Sequence, residues 1–150
     1  MHKSIVDLEE ILEKYTGLLQ ATDSIELESI PTPGKWSKKE IIGHLIDSAH
    51  NNLRRFIVGQ YDDKPHIIYR QDDWVKLNNY QDAVVHDLIN LWFLLNKQIV
   101  TVLKNTTEEK LQRVCLTESE HTIAFLATDY NSHLVHHLHQ VLELDKVPYP

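Results

Sequence analysis

Apolar residues recur at helical spacing in four long segments of this 150-residue chain, and that periodicity limits the folds open to it. The segments span residues 4–21, 38–60, 80–104 and 120–144, and each carries the apolar stripe that one face of a helix buries. Only four glycines and five prolines interrupt the chain, which disfavours the frequent turns of a β-sandwich. The pattern predicts one all-α domain over residues 1–150, built as a four-helix bundle.

Local signals locate the second helix and the connection that follows it. Ser37 and Glu40 have the spacing of a capping box, which predicts that the second helix begins there. Residues 61–79 lack sustained periodicity and contain Pro65, which predicts a long connection between helices two and three with at most one short helical turn. Connections of this length are often functional.

Charge and composition narrow the range of partners and compartments. The net charge is −7 with histidine neutral, and the basic residues are scattered, so the basic patch of a nucleic-acid-binding protein is missing. The longest apolar run covers only residues 91–95, and Asp7, Glu9 and Glu10 are unlike a signal peptide. The single Cys115 cannot form an internal disulfide. We therefore expect a cytoplasmic protein with no nucleic-acid or membrane partner.

The chain holds ten histidines, and two of them have the spacing of metal ligands. His133 and His137 lie four residues apart, so on a helix their imidazoles stand one above the other, within reach of one ion. In a chain this rich in histidine, chance produces such a pair at about even odds. A solvated helix face without metal is therefore the alternative interpretation.

Helical wheels identify which histidines face inward. On the fourth helix His133 and His137 lie at the edge of the apolar arc, whereas His136 lies further out and His139 is predicted to face solvent. On the second helix His50 faces water. A polar stripe flanks that helix's apolar arc and consists of His44, Asp47, Ser48, Asn51 and Arg55.

Two polar stripes of this kind can meet in a cleft between helices of a bundle. The sequence therefore predicts a site in which His44, His133 and His137 bind one divalent metal ion. Three protein ligands with open coordination positions are more typical of a catalytic site than of a structural one, where four ligands are usual.

Other polar residues on the same stripes are candidates for supporting roles. Asp47 and Asp129 lie one turn from a proposed ligand, where a carboxylate can orient an imidazole or accept a proton. Asn51 and Arg55 are candidates for substrate binding. A polar helix face in contact with water, or a local ion pair, explains Asp47, Asn51 and Arg55 equally well.

Two segments resemble the signatures of the DinB superfamily, specifically its YfiT-like branch. Residues 33–47 (PGKWSKKEIIGHLID) are similar to the first signature, and residues 128–140 (TDYNSHLVHHLHQ) are similar to the family's terminal His-xxx-His helix. The resemblance implies a four-helix bundle, often a homodimer, that holds zinc or nickel. Matched residue by residue, the implied ligands are His44, His133 and His137.

The resemblance leaves several functions open. Some members of the family look like transferases that join a low-molecular-weight thiol to an electrophilic small molecule, and others are described as metal-dependent hydrolases. We expect thiol transfer first and hydrolysis through a metal-bound water second. A non-catalytic, stress-associated metal-binding or interaction module is the third alternative. The resemblance assigns no role to His50, His136 or His139.

Overall fold

The computed structural model describes residues 2–150 and shows a mostly helical chain. It contains seven α-helices, one 3₁₀ turn and one short hairpin. The helices are α1 (His2–Ala21), α2 (Ser24–Leu27), α3 (Lys38–Val58), α4 (Gln71–Asn78), α5 (Val85–Lys104), α6 (Glu108–Leu111) and α7 (Ile123–Val141). The 3₁₀ turn is Tyr80–Asp82, and the hairpin strands are β1 (Val114–Leu116) and β2 (Glu120–Thr122).

The four long helices α1, α3, α5 and α7 form the predicted four-helix bundle. Helix α3 packs against α5 and α7, and α1 packs against the same two helices. This arrangement puts α1 and α3 at opposite corners, so α3 and α7 are neighbours. Their apolar faces join one buried cluster in which Trp92 and Tyr130 are among the largest enclosed side chains. Among the described helices, none is both long and apolar enough to cross a membrane.

Helix α3 begins where the sequence predicts it. The Ser37 hydroxyl accepts a hydrogen bond from the Glu40 amide at 3.0 Å, and the Glu40 carboxylate accepts one from the Ser37 amide at 3.0 Å. This reciprocal pair satisfies two amides that a helix start leaves without partners. The capping box therefore fixes the residue at which α3 begins, and with it which α3 side chains face the core.

The connection between α3 and α5 is more regular than the sequence predicts. It contains α4, an eight-residue helix, and the separate 3₁₀ turn, so α5 begins at Val85 rather than near Tyr80. Asn79 lies between the two elements in the left-handed region with φ of 49°. One residue in this conformation breaks the helix, and the apolar periodicity does not reveal that break.

A β-hairpin stands where the start of the fourth helix was predicted. Strands β1 and β2 pair antiparallel, and α7 begins only at Ile123, with Thr122 as its N-cap. The Thr122 hydroxyl accepts a hydrogen bond from the Phe125 amide at 3.1 Å. The hairpin also pairs with the connection, because the Ile67 amide donates to the Leu116 carbonyl at 2.9 Å. The two strands have three residues each, too short for an alternating pattern to be evident.

Two glycines in long helices provide a matched test of this packing. A Cβ atom on Gly43 of α3 would lie 2.0 Å from the Tyr80 ring, whereas a Cβ atom on Gly17 of α1 meets nothing within 4 Å. We expect Gly43→Ala to lower the free energy of unfolding by roughly 1–3 kcal/mol, because the Tyr80 ring has to move. Gly17→Ala should raise it by about 0.5–1 kcal/mol, because alanine favours a helix.

Urea denaturation monitored by circular dichroism measures both changes. Equal stability of Gly43→Ala and Gly17→Ala would contradict the close packing of Tyr80 on α3.

Candidate metal centre

Three histidines converge at the contact between α3 and α7. His44 is 1% exposed, and His133 and His137 on successive turns of α7 are half-buried. The centroids of the His44 and His133 rings, and of the His44 and His137 rings, lie 4.9 Å apart, and those of His133 and His137 lie 4.6 Å apart. One nitrogen from each ring lies within 4.8 Å of the other two. The helical wheels selected these three residues, and the fold brings them together.

Hydrogen bonds indicate which nitrogens face the centre of the cluster. The Nε2 atoms of His44 and His133 are 2.9 Å apart. His137 Nδ1 donates to the side-chain oxygen of Gln140 at 2.7 Å, which leaves the Nε2 lone pair of His137 free. An outer partner of this kind commonly fixes the tautomer of a ligating histidine. The helical wheels did not reveal this role of Gln140, although its spacing of three residues from His137 is a signal for it.

Burial keeps these imidazoles uncharged. It lowers the pKa of His44 to about 3 and that of His133 to about 2, and the neighbouring histidines add to both shifts. Burial also lowers the pKa of His137, although the hydrogen bond with Gln140 opposes that shift. Neutral imidazole is the form that binds a metal ion, and small side-chain rotations would bring three nitrogens this close to the usual metal–nitrogen distance of about 2.0–2.1 Å. The donor set therefore fits a divalent transition metal.

A polar cavity of about 410 Å³ opens beside His133 and His137. Helix α3 contributes Ser48, Asn52 and Arg55 to its lining. The remaining walls come from the connection, from α7 and from the residues after α7, and they consist of Tyr69, Gln71, Asp129, Tyr130, His136, Tyr149 and Pro150. A cavity of this size next to the histidines can hold a small molecule.

Arg55 is the cation in the wall of this cavity, as its place on the predicted stripe suggested. Its Nε and Nη2 atoms donate to the Ile67 carbonyl at 3.1 and 2.8 Å, and Nη1 donates to the side-chain oxygen of Asn52 at 3.3 Å. Burial lowers the pKa of Arg55, but a guanidinium remains charged at neutral pH. Arg55 forms no ion pair within the described part of the chain. Its charge is available to an anionic group in the cavity.

The asparagine that lines the cavity is Asn52, the neighbour of the predicted Asn51. Asn51 donates to the Asp47 carbonyl at 2.9 Å inside α3 and does not line the cavity. Asn52 lines it instead and contacts Arg55. The two residues differ by about 100° on the wheel, and both lie close to the boundary between core and cleft. Asn51 is therefore not placed to contact a ligand of this cavity.

Asp47 faces the connection rather than the histidines. It is fully buried, and its Oδ1 accepts hydrogen bonds from the Tyr80 hydroxyl and, at 3.2 Å, from Asn78 Nδ2. Burial raises the pKa of Asp47 to about 6, although the bond from Tyr80 opposes the shift. None of these bonds reaches a ligand imidazole. Asp47 instead attaches the end of α4 and the 3₁₀ turn to α3.

Asp129, by contrast, lines the cavity. It accepts a hydrogen bond from the Tyr149 hydroxyl at 2.8 Å, and among the described side chains it makes no hydrogen bond with a histidine. Its position fits the predicted role in accepting a proton better than the role in orienting an imidazole.

The remaining histidines near the cluster are not part of it. His50 is exposed. His136 Nδ1 donates to the Val147 carbonyl at 2.6 Å, and His139 Nδ1 donates to the Asp145 carbonyl at 2.7 Å. The prediction that His139 faces solvent is wrong, because its ring is half-buried and its Nε2 lies 2.7 Å from the Tyr15 hydroxyl.

A family model agrees with these observations over most of the chain. The model described as the DinB superfamily matches residues 7–141. The chain belongs to the DinB superfamily. The resemblance carried by the two sequence signatures is thereby confirmed.

This DinB-superfamily chain is similar to two bacterial proteins that each carry the name "Putative metal-dependent hydrolase". The protein from Geobacillus thermodenitrificans is 27% identical over 143 residues, which cover 91% of this chain and 80% of the relative. The protein from Bacillus pumilus is 27% identical over 147 residues, which cover 95% of this chain and 83% of the relative.

Solved structures of DinB-like architecture share the fold. YfiT from Bacillus subtilis, described as a probable metal-dependent hydrolase with an unusual four-helix bundle topology, has a TM-score of 0.86 at 23% identity, covering 95% of this chain and 83% of YfiT. A mycothiol-dependent maleylpyruvate isomerase has a TM-score of 0.73 at 13% identity, covering 97% of this chain and 61% of the isomerase. At these identities the likeness shows the fold alone.

The burial of His44 predicts a specific pH dependence of the metal-free protein. His44 has a pKa of about 3 when folded and about 6.5 when unfolded, so between these values the unfolded chain binds the extra proton. Stability is therefore lost as the pH falls below 6.5, by roughly 1.4 kcal/mol per pH unit for one such histidine. His44→Gln should reduce the slope by about that amount.

Urea denaturation between pH 5 and 7.5 with a chelator present measures these slopes. The raised pKa of Asp47 acts in the opposite sense as the pH rises towards 6, but wild type and variant share that contribution. His86→Gln, at an exposed position on α5, is the control and should retain the wild-type slope. Parallel curves for wild type and His44→Gln would show that His44 is not buried in its neutral form.

Proposed function

We propose that this chain is a metal-dependent enzyme in which His44, His133 and His137 hold one divalent ion, zinc or nickel, beside a small-molecule site. The observation that carries the proposal is the convergence of three neutral imidazoles, two of which, His133 and His137, line a polar cavity. The names of the two bacterial relatives support metal dependence. The homodimer and the cytoplasmic location remain predictions.

An ion with three imidazole ligands supplies Lewis-acid chemistry, because it lowers the pKa of a small nucleophile such as water or a thiol. The protein's residues orient a ligand, attract the substrate and accept a proton. His137 is oriented by Gln140. Arg55 attracts an anionic group of the substrate into the cavity, and the Asp129 carboxylate is placed to accept a proton there.

Transfer of a low-molecular-weight thiol to an electrophilic substrate is the reaction that we propose first. The thiol sulfur forms a bond to the electrophilic carbon while that carbon loses its bond to a leaving group or, in a Michael acceptor, its π bond. The thiol proton passes to a base such as Asp129 and then to the leaving group or to the carbon that received the π electrons. The mycothiol dependence of one protein with the same fold supports this choice. Hydrolysis is the second candidate, and the names of the two relatives favour it.

Metal analysis tests the ligand set. After loading with zinc or nickel and removal of free ion, wild type should retain about one equivalent, whereas His44→Ala and His137→Ala should retain less than about 0.2 equivalents. His50→Ala changes an exposed histidine on α3 and should bind metal like wild type. Less than about 0.2 equivalents in wild type would overturn the metal site.

Mass spectrometry of reaction products separates the two chemistries. The loaded protein is incubated with an activated ester or a Michael acceptor, with and without a panel of thiols. We expect thiol adducts that depend on both the thiol and the metal, and their loss in His44→Ala. Thiol-independent cleavage of the ester would favour the hydrolase, and no turnover with either substrate would favour the non-catalytic module.

A further inference from the structure

The chain turns back after α7 and runs along the same helix. Glu143 has φ of 53°, a left-handed conformation that reverses the direction of the chain. Residues 145–150, here called the return segment, then lie against α7. Two histidines of α7 hold the main chain of this segment at two points, His139 at the Asp145 carbonyl and His136 at the Val147 carbonyl.

Both imidazoles bind the return segment through their Nδ1 atoms. A carbonyl oxygen only accepts, so the Nδ1 atoms of His136 and His139 both carry hydrogen in these bonds. His139 is held from its other side as well, by the Tyr15 hydroxyl of α1. The return segment is thus anchored on α7 and, through His139, on α1.

Tyr149 is the side chain that this anchoring brings to the cavity. Its ring centroid lies 5.3 Å from that of His133 and 6.0 Å from that of His136. Its hydroxyl donates to Asp129, and both Tyr149 and Pro150 line the 410 Å³ cavity. The return segment therefore covers one side of the candidate metal centre with an aromatic ring.

We propose that His136 and His139 are positioning residues that hold the return segment, so that Tyr149 contacts the substrate and limits the size of molecule accepted beside His133. The size limit rests on the proposed function, because it presumes a ligand in this cavity. The covering of His133 by Tyr149 does not rest on the proposed function, because it concerns only contacts among the protein's own residues.

Two further observations support a role for this ring beyond packing. The Tyr149 hydroxyl donates to one oxygen of Asp129 and so orients a carboxylate that lines the cavity together with Arg55. Burial and the bond to Asp129 raise the pKa of Tyr149, so the hydroxyl remains a neutral donor. A rigid aromatic side chain with a polar tip is well suited to bounding a small-molecule site.

Covering of His133 is tested on metal-free protein by histidine modification with diethyl pyrocarbonate, read out residue by residue by mass spectrometry. The rate at His133 is divided by the rate at the exposed His50 of the same molecule. Tyr149→Ala should raise this ratio roughly tenfold, and His139→Ala roughly fivefold, since one hydrogen bond of ordinary strength is worth about that factor.

The control variants separate the ring from its hydroxyl and from general effects. Tyr149→Phe keeps the ring but loses the hydrogen bond to Asp129, so it should raise the ratio clearly less than Tyr149→Ala does, by no more than about fivefold. Tyr61→Ala removes an exposed tyrosine outside the cavity and should match wild type. Thermal unfolding of each variant verifies that it is folded. An unchanged ratio in folded Tyr149→Ala and His139→Ala would overturn the proposal.

The size limit is tested on cobalt-loaded protein, with the visible and near-ultraviolet spectrum reporting thiol binding. Tyr149→Ala should strengthen binding of naphthalenethiol relative to 2-mercaptoethanol by roughly tenfold or more, and Tyr149→Phe should leave that relative affinity near the wild-type value. The same relative affinity in wild type and Tyr149→Ala would refute the size limit. Failure of wild type to bind cobalt would refute the metal centre and the size limit with it, whereas the modification experiment would still decide whether Tyr149 covers His133.

Discussion

The contact between α3 and α7 is the interaction on which the rest of the site depends. It buries His44 and partly buries His133 and His137, and these imidazoles remain neutral because a charged imidazole without a counter-ion is costly in such surroundings. The bundle makes this contact by placing α1 and α3 at opposite corners, each between α5 and α7. A different order of helices would leave His44 facing another partner. The site therefore depends on the order in which the helices pack, just as the core does.

The sequence predicts those features of this protein that are local or periodic. The capping box at Ser37 and the four amphipathic segments depend on neighbouring residues, so they can be identified without the fold. His44, His133 and His137 could be selected because each lies on the inward edge of a helix. Their convergence still depended on α3 and α7 being neighbours, which the helical wheels alone do not establish.

The features that escaped prediction arise from contacts between distant parts of the chain. Asp47 bonds to Tyr80, and His139 bonds to Tyr15 and to the Asp145 carbonyl, so no wheel of one helix could reveal these partners. The hairpin strands are too short for a period-two pattern. Asn51 was predicted in place of Asn52 for a different reason. A helical wheel poorly distinguishes residues that lie near the boundary between the core and the cleft.

Helix α3 supports one side of the cavity. It provides His44, it provides Arg55, which holds the start of the connection at Ile67, and it provides Asp47, which holds the connection's far end at Asn78 and Tyr80. These bonds attach the wall between those two points to the helix. We therefore expect the imidazole of His44, the guanidinium and that wall to be displaced together when the bundle fluctuates. Relative motion of the three histidines is then expected mainly at the contact between α3, which carries His44, and α7, which carries His133 and His137.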